Sequence, residues 1–118
     1  MKTIRGAITA DFNTEDDIRK STVELLECII EENSLNHDDI ESIIFSVTND
    51  LTKSYPAKHA REIGLENPTY MCMQEMHVEG SLRKCIRILM FARMDDRKPN
   101  HIYLKNASRL RTDLDRKG

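Results

Sequence analysis

Apolar residues recur along this chain with two different periods, and the switches between them divide it into elements. Thr3 to Ala10 alternates loosely and is rich in β-branched residues, which predicts a first strand. Ile18, Thr22, Leu25, Leu26, Ile29, Ile30 and Asn33 then recur at helical spacing. Asn13 or Thr14 caps this long helix, and Glu15, Asp16 and Asp17 place acids in its first turn, where the macrodipole favours them. Asn36 opens a short turn through Asp39. Ser42 to Thr48 reads as a strand buried largely on both faces, broken by Asn49-Asp50. Pro56 suits the first position of a second helix that passes Ala57, Ala60 and Ile63 and stops at Gly64. Thr69 to Gln74 is a short strand.

Leu82 to Met94 fits either period. Leu82, Ile86, Leu89, Met90 and Arg93 suit a helix; Leu82, Lys84, Ile86, Ile88, Met90 and Ala92 suit one strand face. Its β-branched content and lack of a cap favour the strand. Lys98-Pro99-Asn100 turns the chain into a last strand, His101 to Lys105. Strand, long helix, strand, short helix and further strands together predict an α+β domain: a mixed sheet with flanking helices.

The 118 residues make one domain, with a charged tail at Asp113 to Gly118. There is no tryptophan and aromatics are only 5%, so the core rests on Ile, Leu, Val and the six methionines. A small core of this kind gains buried surface by oligomerising. A net charge of −2 and sparse aromatics argue against nucleic-acid binding. No apolar run approaches membrane-spanning length, and the first residues carry no apolar leader. Cys28, Cys72 and Cys85 are odd in number and outside CxxC spacing, so neither a disulfide framework nor a zinc site is expected. A reducing, cytoplasmic setting is the expectation.

Ten of the eighteen basic residues are arginine, mostly at or beyond Arg61, while most acids lie in the first half. A local cationic site can therefore exist in an acidic chain. Arg87 interrupts the apolar run Cys85 to Phe91, where a charge needs a partner. Either a carboxylate of the chain pairs with it or a polar ligand does. Cys72 and Glu75 stand three apart in another apolar stretch. A nucleophilic thiol would need a base, with His77 the candidate, but no motif supports that, and a structural cysteine is the better reading. Glu75 is open to three roles: general base, acceptor for a ligand hydroxyl, or partner of Arg87. The four histidines are scattered and read as surface residues. Only four glycines exist and none cluster, so there is no phosphate loop.

In order along nearly the whole chain stand Ile4-Arg5-Gly6-Ala7, Glu31-Glu32-Asn33, Tyr55-Pro56-Ala57-Lys58 with Arg61-Glu62, and Cys72-Met73-Gln74-Glu75-Met76. After them come Lys84-Cys85-Ile86-Arg87, His101-Ile102-Tyr103-Leu104, and Leu110-Arg111 with Asp113-Leu114. With these motifs the chain resembles the monofunctional chorismate mutases of the trimeric, Bacillus type, distinct from the all-helical class. The resemblance implies a trimeric pseudo-α/β barrel with active sites between subunits. It also implies conversion of chorismate to prephenate, towards phenylalanine and tyrosine, with no cofactor or metal. By resemblance Arg87 donates to the ether oxygen of chorismate, Glu75 and Cys72 meet its C4 hydroxyl, and Arg5 and Tyr103 hold a carboxylate. Tyr55, Ala57 and Leu110 supply apolar wall, Tyr70 and Met71 line the cleft, and Met73, Gln74 and Met76 belong to the same substrate-binding block. Lys58, Arg61 and Arg111 stand at the rim or in a mobile tail from about residue 112.

The chain departs from the family pattern at Tyr55 (Phe), Met71 (Thr) and Thr112 (Pro). The alternative is a non-catalytic small-molecule binding module, or an imine hydrolase of the Rid type, on the same trimeric architecture.

Overall fold

Two strands far apart in sequence, β1 (Lys2–Thr9) and β4 (Cys85–Ala92), pair antiparallel over their full lengths and form the spine of the molecule. The computed structural model describes residues 1–110. Around the spine lie α1 (Glu15–Glu32), β2 (Ile40–Val47), α2 (Pro56–Glu62), β3 (Thr69–Gln74) and β5 (Ile102–Tyr103). The five strands form one mixed sheet in the order β3-β2-β4-β1-β5. β2 runs antiparallel to β4, whereas β3 is parallel to β2 and β5 parallel to β1.

The long helix forms as its sequence dictates. Thr14 is the N-cap, its hydroxyl accepting from the Asp17 N–H at 3.1 Å, and Asn33 is the C-cap. Ile18, Leu25, Leu26 and Ile29 are fully buried. They pack with Ile4 and Ile8 of β1, Ile43 and Phe45 of β2, and Ile86, Ile88 and Met90 of β4 in a single core. In each strand these residues alternate with the other face, so α1 and α2 cover one side of the sheet only.

The region of mixed periodicity becomes strand because its start is tied down. Asp50 accepts from the Lys84 N–H at 3.1 and 3.0 Å and from Thr48 Oγ1 at 2.6 Å. Burial works against its charge, but these bonds and nearby Arg83 hold the carboxyl below its ordinary range. Thr48 Oγ1 in turn accepts from the Cys85 N–H at 2.9 Å. These bonds fix the register that brings Arg87 opposite Ser46.

Three expectations need correction. β2 is not buried on both faces: Ile43 and Phe45 are enclosed, but Ser42, Ile44 and Ser46 are half-exposed on the open side. The last strand is only Ile102–Tyr103, because Lys105 takes a positive φ of 52° and opens a 3₁₀ turn, Lys105–Ala107. That turn lays Ala107, Tyr103 and Leu110 over Ala7 and Cys85, forming a small second cluster on the open face. Nor are all the histidines superficial: His59 is 1% exposed, with Nε2 2.7 Å from Ser54 Oγ and Nδ1 2.9 Å from Glu62 Oε1.

β5 is positioned by an amide clasp. Asn33, 1% exposed, donates from Nδ2 to the Asn100 carbonyl at 3.0 Å and accepts from the Asn100 N–H at 2.7 Å. Gly6 lets β5 approach, since a Cβ there would lie 2.8 Å from the Ile102 carbonyl oxygen. Gly6→Ala is expected to cost about 1–3 kcal/mol, the usual range for overpacking. Urea unfolding checks this, with the loss reporting on the β1–β5 pair that carries Tyr103.

Candidate active site

The uncovered sheet face carries the chemistry. Period two sends Ala7 and Arg5 of β1 and Arg87 and Leu89 of β4 to this side, paired in register as Ala7–Arg87 and Arg5–Leu89. Ser46 and Ile44 of β2 continue the two rows, and Tyr103 is paired with Ala7 from β5. Glu75, just past the end of β3, continues the ladder by donating its N–H to the Val47 carbonyl at 2.9 Å. Its carboxylate leans across β2. Oε2 accepts from Arg87 Nη1 at 3.2 Å, and Oε1 accepts from Ser46 Oγ at 2.5 Å.

Arg87 therefore has a carboxylate partner and keeps room for another, since its side chain is 43% exposed and that of Glu75 25%. Arg5 is exposed and makes no ion pair among the described residues; its N–H donates to His101 Nδ1 at 2.9 Å. Burial lowers the His101 pKa, with Arg5 adding to the effect. Burial raises the Tyr103 pKa against the opposing pull of Arg5 and Arg87, so the phenol stays a proton donor at neutral pH. The open face thus presents two guanidinium groups and a phenol as donors, with one carboxylate at its β3 end, suited to an anion that also carries a hydroxyl.

Cys72 is elsewhere. It pairs with Phe45 in register and packs against the core on the helical side of the sheet. Glu75 is three positions further along, and an odd offset in a strand puts side chains on opposite faces. Within one chain the two do not meet a common hydroxyl. Cys72 instead lines a cleft of about 490 Å³ with Val47, Tyr55, Lys58, Met73 and Gln74. Tyr55 is the N-cap residue of α2 and is 72% exposed. Lys58 Nζ reaches Glu15 Oε2 at 2.9 Å beside the same cleft.

The remaining expected residues divide. Met71 and Met76 are exposed, at 56% and 78%, on the sheet edge and in the loop beyond it. Leu110 packs against Ala7 and Cys85 beside Tyr103. Ala57 is buried and gives its side chain to the core rather than to a cleft wall. Tyr70 also serves the core: its ring stacks on Phe45 with centroids 6.3 Å apart, and its hydroxyl donates to the Leu65 carbonyl at 2.6 Å. Burial pushes its pKa up to about 12. Arg61 lies over that ring, 5.2 Å from the centroid. Arg111 and Thr112 fall outside the described residues, as does the expected mobile tail. His77 is exposed, with no hydrogen bond to Cys72.

Ser46 is the participant that sequence reasoning missed. A serine in an apolar strand carries no motif; the available signal was its place in the alternation, on the same face as Ser42 and Ile44.

An α+β sheet with two arginines, a tyrosine and one glutamate on its open face is the class of protein that fold and site define. The chain belongs to the chorismate mutase type I family, which matches residues 1–114. It is 42% identical over 117 residues to the chorismate mutase AroH of Bacillus subtilis (strain 168), covering 97% of this chain and 92% of that protein. With the chorismate mutase AroH of Thermus thermophilus it shares 38% identity over 118 residues, covering 98% and 97%. The structure of a chorismate mutase from Clostridium thermocellum superposes with a TM-score of 0.89 at 45% identity, over 92% of this chain and 98% of that one.

Proposed function

We propose that this chain rearranges chorismate to prephenate, towards phenylalanine and tyrosine, at a site built around Arg87 and Glu75 and completed between subunits of a homotrimer. Family membership supports the activity. The observation that carries the site is the reach of Glu75 across β2 to Arg87, with Arg5 and Tyr103 on the same open face. Neither the binding-module nor the imine-hydrolase alternative has an observation in its favour.

The rearrangement is unimolecular, so the protein must hold one reactive conformer of a dianion and stabilise the charge that develops. Arg5 and Tyr103 fix a carboxylate. Arg87 donates to the ether oxygen as its bond to the ring breaks and negative charge grows there. Glu75 accepts from the C4 hydroxyl and faces the ring fragment as that turns positive. No covalent intermediate or proton transfer is required. Water must be excluded, yet in one chain this face is open.

That openness supports the trimer. β3 is an edge strand, and Met71, Met73, Met76 and Val78 on it and beyond it are all about half exposed or more. Covering them with a second copy buries apolar surface. It also brings the cleft of Cys72, Tyr55 and Lys58 to a neighbour's open face, so the two groups that one chain separates meet across an interface. In this reading Lys58 and Arg61 steer the dianion at the rim. We place the trimer in the cytoplasm, in keeping with three unpaired cysteines; no helix among the described residues is long and apolar enough to cross a membrane.

Light scattering on the purified protein is expected to give the mass of three chains. Loss of the chorismate diene absorbance is expected to follow first-order decay with prephenate as sole product. A stable, fully active monomer contradicts the shared site.

A further inference from the structure

β3 and β4 are not neighbours; β2 lies between them. Strands lie 4.7–4.9 Å apart, so the Glu75–Arg87 pair bridges about 9.5 Å of sheet. The residue directly beneath that bridge is Ser46, in register with Arg87 on one side and Met73 on the other. It is small enough to let the two side chains meet above it, and its hydroxyl donates to Glu75 Oε1 while Arg87 holds Oε2.

We infer that Ser46 is the positioning residue of this site, holding the Glu75 carboxylate in place when Arg87 turns from it to the substrate. The inference rests on the function proposed above and adds a residue to it. A carboxylate held at both oxygens has one orientation. When the ether oxygen of a bound dianion claims Arg87, the Oε2 contact weakens, and without Ser46 the Glu75 side chain is free to swing towards the exposed end of β3. With Ser46 the carboxylate stays beside the ring, where the positive charge develops. The effect therefore falls on the chemical step rather than on binding.

The test compares side chains of matched shape. Thr and Val both suit a strand and differ at this site only in the hydroxyl. Ser46→Thr is expected to turn over about tenfold faster than Ser46→Val, the scale of one hydrogen bond to a charged group, with KM similar in the two. Ser46→Ala, which keeps the space but loses the hydroxyl, is expected to lose about tenfold in kcat with little change in KM. In a Glu75→Ala background, Ser46→Ala should add almost nothing, since the group it positions is gone. Equal kcat for the Thr and Val variants, or an undiminished Ser46→Ala effect without Glu75, overturns the inference. Near-normal turnover of Glu75→Ala itself would overturn the underlying site reading instead, so the two failures are distinguishable.

Discussion

Arg87→Ala is expected to lower kcat by at least ~10² to 10³, the scale for removing one preorganised donor at a developing oxyanion. Arg87 lies in mid-strand, between Ile86 and Ile88, which are both buried in the core. Its backbone is therefore fixed on both sides, and its guanidinium is aimed rather than searching for its target. The side chain is half-exposed and pairs with Glu75 through one nitrogen, Nη1. The rest of the planar fork is available to an incoming anion. Arg87→Lys is expected to be nearly as poor as Arg87→Ala, because a point ammonium cannot present the planar fork of a guanidinium to the substrate. Because Arg87 is partly hydrated, its removal leaves no buried hole, and thermal unfolding should change little. Chorismate consumption followed by absorbance measures the effect. Near-normal turnover in Arg87→Ala would remove Arg87 from the charge-stabilising role.

Much of this arrangement was legible in the sequence, and what was not has physical causes. The helix from the Thr14 cap to Asn33 was legible because caps, first-turn acids and a 3.6-residue period all agree. The Leu82–Met94 stretch was less so. What makes it β4 is the bonding of Asp50 to the Lys84 backbone, a contact between residues 34 apart. The apolar β2 pattern read as burial on both sides, yet one of those faces is open in this chain, and a sequence does not say which apolar face its own chain covers. The oddness of Arg87 among apolar residues was a true signal of a paired charge. The grouping of Cys72 with Glu75 does not arise within one chain, since a spacing of three in a strand puts the two side chains on opposite faces. His59, buried with both ring nitrogens bonded, looked like any other histidine because its partners Ser54 and Glu62 have many possible roles.

Glu75→Ala is expected to cost about 10- to 100-fold in kcat, in line with losing a hydrogen bond that involves a full charge. Two effects combine. The C4 hydroxyl of the substrate loses its acceptor, and the ring fragment loses a negative charge nearby as it becomes positive. Glu75→Gln separates them, because the amide oxygen still accepts while the charge is gone. If charge dominates, Glu75→Gln loses about as much as Glu75→Ala; if the hydrogen bond dominates, it stays near the parent. Gln can keep both neighbours, its oxygen accepting from Arg87 and its N–H₂ donating to the Ser46 hydroxyl, which turns to accept, so the negative charge is what the substitution removes. Because preorganised charge facing a developing charge is usually the largest single term, the charge-dominated result is expected. Glu75→Ala and Arg87→Ala share one ion pair, so their costs should not add: the double variant is expected to be less impaired than the product of the single losses. A Glu75→Ala protein with parental kcat and only a raised KM would reduce Glu75 to a binding group, leaving the positive charge of the transition state without its partner on this face.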